Sequence, residues 1–366
     1  MDDLVPPNIE ALVPYEPGKP VEELERELGI SGAIKLASNE NAFGASPRAL
    51  EAAHAALAQT HRYPDGGAYR LRLTLAEHTG LPMDQIVVGN GSSELIDLAV
   101  RVFCAPGRDE VLTHRYAFVS YRLVTQAHGV AFREVPLRAD LSLDVDVLLA
   151  AVGERTKLVF LPNPNNPTGR HVPRADLERL IAGLPRRVVL VVDEAYHEYA
   201  AALPDYALAE PYRRQHPLLL SLRTFSKIYG LAGLRVGYGL ADARVVGYLN
   251  RVRPAFNVGA AAQEAARAAL ADTAHLERSL RGNADGRAQL QAGLGRLGLH
   301  TTPSATNFVL VDVGRDAAPV YDSLLRRGVI VRPLRPQGLP RHLRISVGTR
   351  DENERALAAL AAVLAP

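Results

Sequence analysis

The sequence predicts an α/β protein: a large domain on a mostly parallel central sheet flanked by helices, joined to a smaller α+β domain. Three observations carry that expectation. The chain has 366 residues, beyond the size at which a single hydrophobic core usually stops growing, so two domains are expected. From about residue 48 to 250, helix-period segments alternate with short, continuous apolar runs, which suit strands covered on both faces. After Arg253-Pro254 the texture changes to an alanine-rich helical stretch, followed by the strand and helix patterns of a smaller unit.

In chain order, the first 30 residues read as a proline-punctuated arm ending in a short helix, "PVEELEREL". "GSSELIDLAVRVF" (91–103) sets Leu95, Leu98, Ala99 and Val102 on one helical stripe, with glycine and serines at its start. "KLVFL" (157–161), "RVVLVV" (187–192) and "PLLLSL" (217–222) read as buried strands. "PRADLERLIAGL" between the first two has helical spacing at Leu177, Leu180, Ile181 and Leu184. Beyond the break, one long helical region is expected over roughly 260–297. Strand "TNFVLVDV", helix "APVYDSLLRRG", strands "VIVR" and "LRISVG" and a last helix follow. The expected division is an arm and helix over 1–30, a large domain over 31–253 and a small domain over 254–366.

The 42 basic and 40 acidic side chains leave a formal charge of +2, which gives no ground for a nucleic-acid partner. Cys104 is the only cysteine, so no intrachain disulfide forms and a reducing compartment fits. It lies in the apolar run "LAVRVFCAPG" and reads as core filler. The acidic, proline-rich start does not resemble a signal peptide. No stretch approaches the ~20 apolar residues of a membrane span. A cytoplasmic location is expected, with no membrane partner and no metal.

Five polar stations interrupt the pattern, most where a strand runs out into a loop, the place at which open α/β sheets bind ligands. "VVGNGSSELI" (87–96) is either an ordinary capped helix start or an anion site of backbone N–H groups and hydroxyls. "FLPNPNNPTGR" (160–170) makes a turn richer than a surface connection needs, and Asn166 there is placed to offer an amide to a ligand. In "VVLVVDEAYHEY", Asp193 follows five apolar residues. A carboxylate at that depth needs a partner: it either caps a helix or pairs with a cationic ring nitrogen, with Tyr196 in reach of the same ligand. "SLRTFSKIYGLAGLRVGYG" (221–239) puts one lysine, Lys227, among small and apolar neighbours. Desolvation there lowers the cost of a free amine, and Thr224, Ser226 and Arg235 resemble a phosphate grip. "VIVRPLRPQGLPRHLRISVG" (329–348) sets Arg332 and Arg344 at strand edges, where a guanidinium suits bidentate anion recognition. Together the stations supply what pyridoxal 5'-phosphate requires: an amine, an acid for its ring nitrogen, donors for its 3′-oxygen and a cationic cradle for its phosphate.

The same stretches carry a family resemblance over nearly the whole chain. "VPYEPGKP", "KLASNENAFGASP", "RYPDGG", "GNGSSELI", "NPNNPTG", "VVDEAYHEY", "TFSKIYGLAGLRVGYG", "RPAFNV", "SATNFVLV" and "LRISVGT" occur in order. The chain thereby resembles the fold type I pyridoxal-phosphate enzymes of the aspartate aminotransferase superfamily, and within them the histidinol-phosphate aminotransferases.

The resemblance implies that Lys227 is the Schiff-base lysine and proton shuttle, that Asp193 pairs with the ring nitrogen, and that Asn166 and Tyr196 bind the 3′-oxygen. It assigns the phosphate to the backbone of Gly91, Ser92 and Ser93 with Thr224, Ser226 and Arg235, and ring stacking to Phe118. Tyr63 is expected to reach a neighbouring subunit's phosphate site, which implies a homodimer. Tyr15, Asn39, Arg332 and Arg344 are expected to bind small-molecule substrates, Arg344 taking the glutamate carboxylate in one half-reaction and assisting the substrate phosphate in the other. Ala42 replaces the family's usual proline, and the serine common after Asn257 is missing.

The implied activity is a ping-pong exchange of an amino group between L-histidinol phosphate and 2-oxoglutarate, a step of histidine biosynthesis. An aromatic amino acid aminotransferase shares every ring contact and differs only in the distal pocket. A phosphothreonine decarboxylase is a remoter sibling, betrayed by carbon dioxide release. A non-catalytic, cofactor-sensing regulator would need a separate DNA-binding domain, for which about 30 leading residues leave no room.

Overall fold

Apolar runs that are covered on both faces become strands, and the computed structural model, which describes residues 4–15 and 18–365, bears this out. In chain order the strands are β1 (Ile34–Lys35), β2 (Ile86–Gly89), β3 (Glu110–His114), β4 (Ala131–Val135), β5 (Thr156–Pro162), β6 (Val189–Asp193), β7 (Leu219–Thr224), β8 (Gly237–Ala241), β9 (His300–Thr301), β10 (Phe308–Asp312), β11 (Val329–Ile330), β12 (Arg332–Leu334) and β13 (Leu339–Ser346). Seven of them form the central sheet in the order β2-β8-β7-β6-β5-β3-β4. Every pairing from β7 through β4 is parallel, and only β8 runs antiparallel to its neighbours β2 and β7. All residues of β6 and β7 are buried, so the ends of these two strands are fixed by core on both sides.

Helix Gly91–Phe103 buries Leu95, Leu98 and Ala99 on the expected stripe, and Arg174–Gly183 buries Leu177, Leu180 and Ile181. A second sheet, β12-β13-β10-β9, is antiparallel throughout. The arm docks through Asn8, whose amide donates to the carbonyls of Gln126 and Ala127 at 3.0 Å each. The motif "VPYEPGKP" falls partly outside the described residues, at positions 16 and 17.

Three details differ from expectation. The helical region over 260–297 is two helices, Ala260–Ala271 and Thr273–Arg296, because Asp272 caps the second by accepting from the His275 N–H at 3.2 Å. "VIVR" splits between sheets: β11 pairs parallel with β1, while β12 pairs antiparallel with β13. Packing also draws the division between units away from residue 254. Val258, Ala262, Ala265, Ala266 and Ala269 share a core with Ala49, Leu71, Leu75 and the central sheet's Ile86 and Val88, whereas Ile34 and Leu36 pack with the second sheet's Val309, Leu343 and Ile345. The change to alanine-rich sequence marks a helix that packs closely on its neighbour, not a change of core.

Candidate active site

The ends of β5, β6 and β7, the start of helix Gly91–Phe103 and the second sheet's β13 converge on one cavity of about 300 Å³. Lys227, three residues beyond β7, lines it and is partly buried. Its ammonium loses solvation there, and burial, with Arg344 nearby, pushes it down to about 8. Its Nζ lies 5.7 Å from the centre of the Tyr196 ring.

Asp193 ends β6 and is buried; loss of solvent pushes its carboxyl up to about 6, against the pull of the Tyr121 hydroxyl, the Ala195 N–H and Lys227. Tyr121 Oη donates to Asp193 Oδ2 at 2.8 Å and the Ala195 N–H to Oδ1 at 3.2 Å. The capping alternative does not hold, because the next helix, His197–Ala200, has Tyr196 at its N-cap. Tyr196 lines the cavity, its hydroxyl accepting from Asn39 Nδ2 at 3.0 Å, and burial pushes the phenol up to about 12.

The turn after β5 divides its asparagines. Asn163, which directly follows the strand, accepts the Val172 N–H through its side chain at 2.9 Å. Asn165 donates to the Tyr116 carbonyl and to Thr168 Oγ1, at 3.0 and 2.9 Å. Asn166 is the one that lines the cavity, and its Oδ1 accepts from Arg344 at 2.6 Å. Two asparagines build the turn so that the third faces inward.

At one end of the cavity lie Ser92, Ser93, Thr224, Ser226 and Arg235. The helix behind them has no side-chain cap on its N-terminus, so its first N–H groups and its dipole are left for an anion. Gly91 has φ +70°, and a Cβ there would lie 2.7 Å from the Arg235 guanidinium, so only glycine lets the arginine approach. Gly237 serves likewise: its Cβ would meet the Ser92 nitrogen at 2.6 Å.

Arg344, on β13, is buried, with one Nη donating to Asn166, the other to the Ala37 carbonyl at 2.6 Å, and Nε without a partner. No carboxylate pairs with it among the described residues. A guanidinium kept buried without an acid is poised for a substrate anion. Asn39 lines the cavity at φ +54°, held by Ser346 and Asn307. Tyr15 and Phe118 also line it. Arg332 does not: it lines an adjoining chamber and sits 5.3 Å over the Tyr15 ring. Tyr63 lines no part of the cavity, is 82% exposed and stacks on Phe256.

Two groups escaped the sequence reading. Tyr121, three residues after Phe118, carries a carboxylate contact that a helical tyrosine does not advertise. Arg223 and Glu194, both buried, pair at 3.0 Å between β7 and the residue after β6. An arginine inside "SLRTFSK" next to an apolar strand was the available signal.

The chemistry available in this one cavity is that of an amine with lowered pKa, a buried acid, a cradle of hydroxyls and a guanidinium, and an arginine with no carboxylate partner among the described residues. This donor set fits a flat, phosphorylated aldehyde cofactor with a basic ring nitrogen. The chain belongs to the class I and II aminotransferases, whose family pattern matches residues 31–360. More narrowly, it is similar to proteins named histidinol-phosphate aminotransferase: 50% identical over 362 residues to one from Anaeromyxobacter sp., covering 99% of each chain, and 50% identical over 366 residues to one from Pseudomonas aeruginosa, covering 99% of this chain and 98% of that one. Among solved structures it resembles histidinol-phosphate aminotransferase from Sinorhizobium meliloti in complex with pyridoxal-5'-phosphate, at 33% identity and TM-score 0.88, covering 99% of this chain and 98% of that one.

Proposed function

We propose that the chain is a histidinol-phosphate transaminase that uses pyridoxal phosphate to exchange an amino group between L-histidinol phosphate and 2-oxoglutarate, as a step in histidine biosynthesis. The observation that carries this reading is a single cavity joining Lys227, Asp193, the hydroxyl-and-arginine cradle, and Arg344, which has no carboxylate partner among the described residues. When bound, the cofactor supplies a ring that accepts the electron pair left as the substrate Cα–H bond breaks.

The chain's own groups do the rest. Lys227 Nζ would hold the cofactor until the substrate's amine displaces it, and the freed amine would then take the proton from substrate Cα and return it to the neighbouring carbon. Asp193 keeps the ring nitrogen protonated, and Asn166 and Tyr196 hold the 3′-oxygen. The Gly91–Ser93 backbone, Thr224, Ser226 and Arg235 fix the phosphate, and Phe118 covers the ring. Asn166 has a second use, since its Oδ1 orients Arg344. Arg344 takes the glutamate carboxylate and then the phosphate of histidinol phosphate, two anions of similar bidentate spacing. Tyr15, Asn39 and Arg332 bound the distal end.

A homodimer fits Tyr63, which is 82% exposed and outside its own chain's cavity; in this reading it completes the phosphate site of a second copy. Among the described residues no helix is long and apolar enough to cross a membrane, and a cytoplasmic location is proposed.

The test is a panel of half-reactions: cofactor-loaded protein mixed separately with histidinol phosphate, glutamate, phenylalanine and tyrosine, following the cofactor's absorbance. Histidinol phosphate and glutamate should convert it to the amine form. A preference for phenylalanine would replace this reading with an aromatic aminotransferase, and no conversion by any amine would replace it with a cofactor-binding regulator.

A further inference from the structure

Tyr121 has no place in the roles described so far, yet it makes the shortest side-chain hydrogen bond to Asp193. It is fully buried on helix Val119–Ala127, with its ring parallel to Phe160 at 4.4 Å between centres and edge-on to Phe118 at 5.8 Å. That packing fixes the ring, and the ring fixes the hydroxyl 2.8 Å from Asp193 Oδ2. Burial and the neighbouring carboxylate push this phenol well above its ordinary range, so it stays a donor.

The other groups facing Asp193 are few. Lys227 favours its ionised form, Glu194 opposes it, and Tyr196 lies on its own loop. Glu194 is already held by Arg223 at 3.0 Å. Lys227, once bonded to the cofactor, no longer offers the free ammonium that favoured the carboxylate. The Tyr121 hydroxyl and the Ala195 N–H then remain as the donors that the chain supplies to it.

We propose that Tyr121 is a positioning residue for Asp193: its hydroxyl holds the buried carboxylate in one orientation and in its ionised form, ready for a protonated ring nitrogen. This rests on the reading that Asp193 faces the ring nitrogen of pyridoxal phosphate. The tyrosine lines the same cavity, and the role proposed for it is exerted through Asp193. A hydrogen bond to a charged group in a desolvated site is worth more than one in water, and its loss shifts the carboxyl toward the neutral form.

The experiment compares wild type, Tyr121→Phe, Asp193→Asn and the double variant, titrating each apo chain with pyridoxal phosphate by absorbance from pH 5 to 8.5. Tyr121→Phe keeps the ring stacked on Phe160 and removes one oxygen, so its fold should survive, as the melting of the apo chain will show. We expect cofactor binding about ten-fold weaker at pH 7.5, and the pH at which affinity falls away on the acid side about one unit higher. In the Asp193→Asn background, the tyrosine change should add less than about two-fold, because the group it acts through is gone. Wild-type affinity and an unmoved acid limb in Tyr121→Phe would overturn the proposal, as would an equal loss with and without Asp193. If Asp193→Asn itself binds the cofactor as wild type does, the reading of Asp193 fails first.

Discussion

Burial moves the titration ranges of Lys227 and Asp193 toward each other, helped at the lysine by the nearby Arg344 charge. The amine falls to about 8 and the carboxyl rises to about 6, so between those values the two are oppositely charged, the carboxylate in the form that its proposed role as ring-nitrogen partner requires. The sign follows from the shift. Above about 8 Lys227 is mostly neutral, where an ordinary lysine would need a pH near 10.5. The rate at which the apo chain takes up pyridoxal phosphate, followed by stopped-flow absorbance, should therefore rise with pH, reach half its plateau near 8 and level off about a unit above. A rise continuing to pH 10 would mean an unperturbed amine. Both residues were legible in the sequence because Asp193 follows five apolar residues and Lys227 stands among small and apolar neighbours. Tyr121 was not, since a tyrosine on an amphipathic helix looks like any core residue until its hydroxyl's partner is known.

The elements matter through where they stop. Asp193 closes β6 and Thr224 closes β7, and the next residue on one strand and the previous on the other, Glu194 and Arg223, are tied by a buried ion pair at 3.0 Å. That pair ties the two strand ends that present Asp193 and Thr224 to the cavity. Arg223→Met should leave Glu194 buried and unpaired, lowering stability by about 3–5 kcal/mol in urea unfolding. A loss below about 1 kcal/mol would show that water reaches the pair. The buried strands and the helices between them could be read from period and burial. The antiparallel course of β8 could not, because its five residues are as buried as those of a parallel strand. Nor could the splitting of "VIVR" between two sheets, which depends on pairing with β1 nearly 300 residues earlier in the chain.

At the scale of the molecule, the cavity is shared between two sheets. The central sheet supplies Lys227, Asp193 and the anion cradle, and the second sheet supplies Arg344, joined to the first through Asn166. Arg344→Ala should thus slow the half-reactions of both glutamate and histidinol phosphate by about 100-fold in kcat/KM. An effect on one alone would contradict its double use. The proposed homodimer has its own test. Two inactive variants, Lys227→Ala and Tyr63→Ala, mixed under exchange conditions should recover about a quarter of wild-type activity, since one site of each hybrid regains both groups. No recovery would place Tyr63 outside the neighbour's site. The domain division was the least legible feature at this scale, because residues 258–269 pack on the central sheet's core while Ile34 and Leu36 pack on the second.

The most direct measurement reduces the cofactor-loaded protein with borohydride, digests it and locates the label by mass spectrometry. The account predicts the phosphopyridoxyl mass on the peptide containing Lys227 and its absence from Lys227→Ala. A label on another lysine, or none on the wild-type chain, would contradict it.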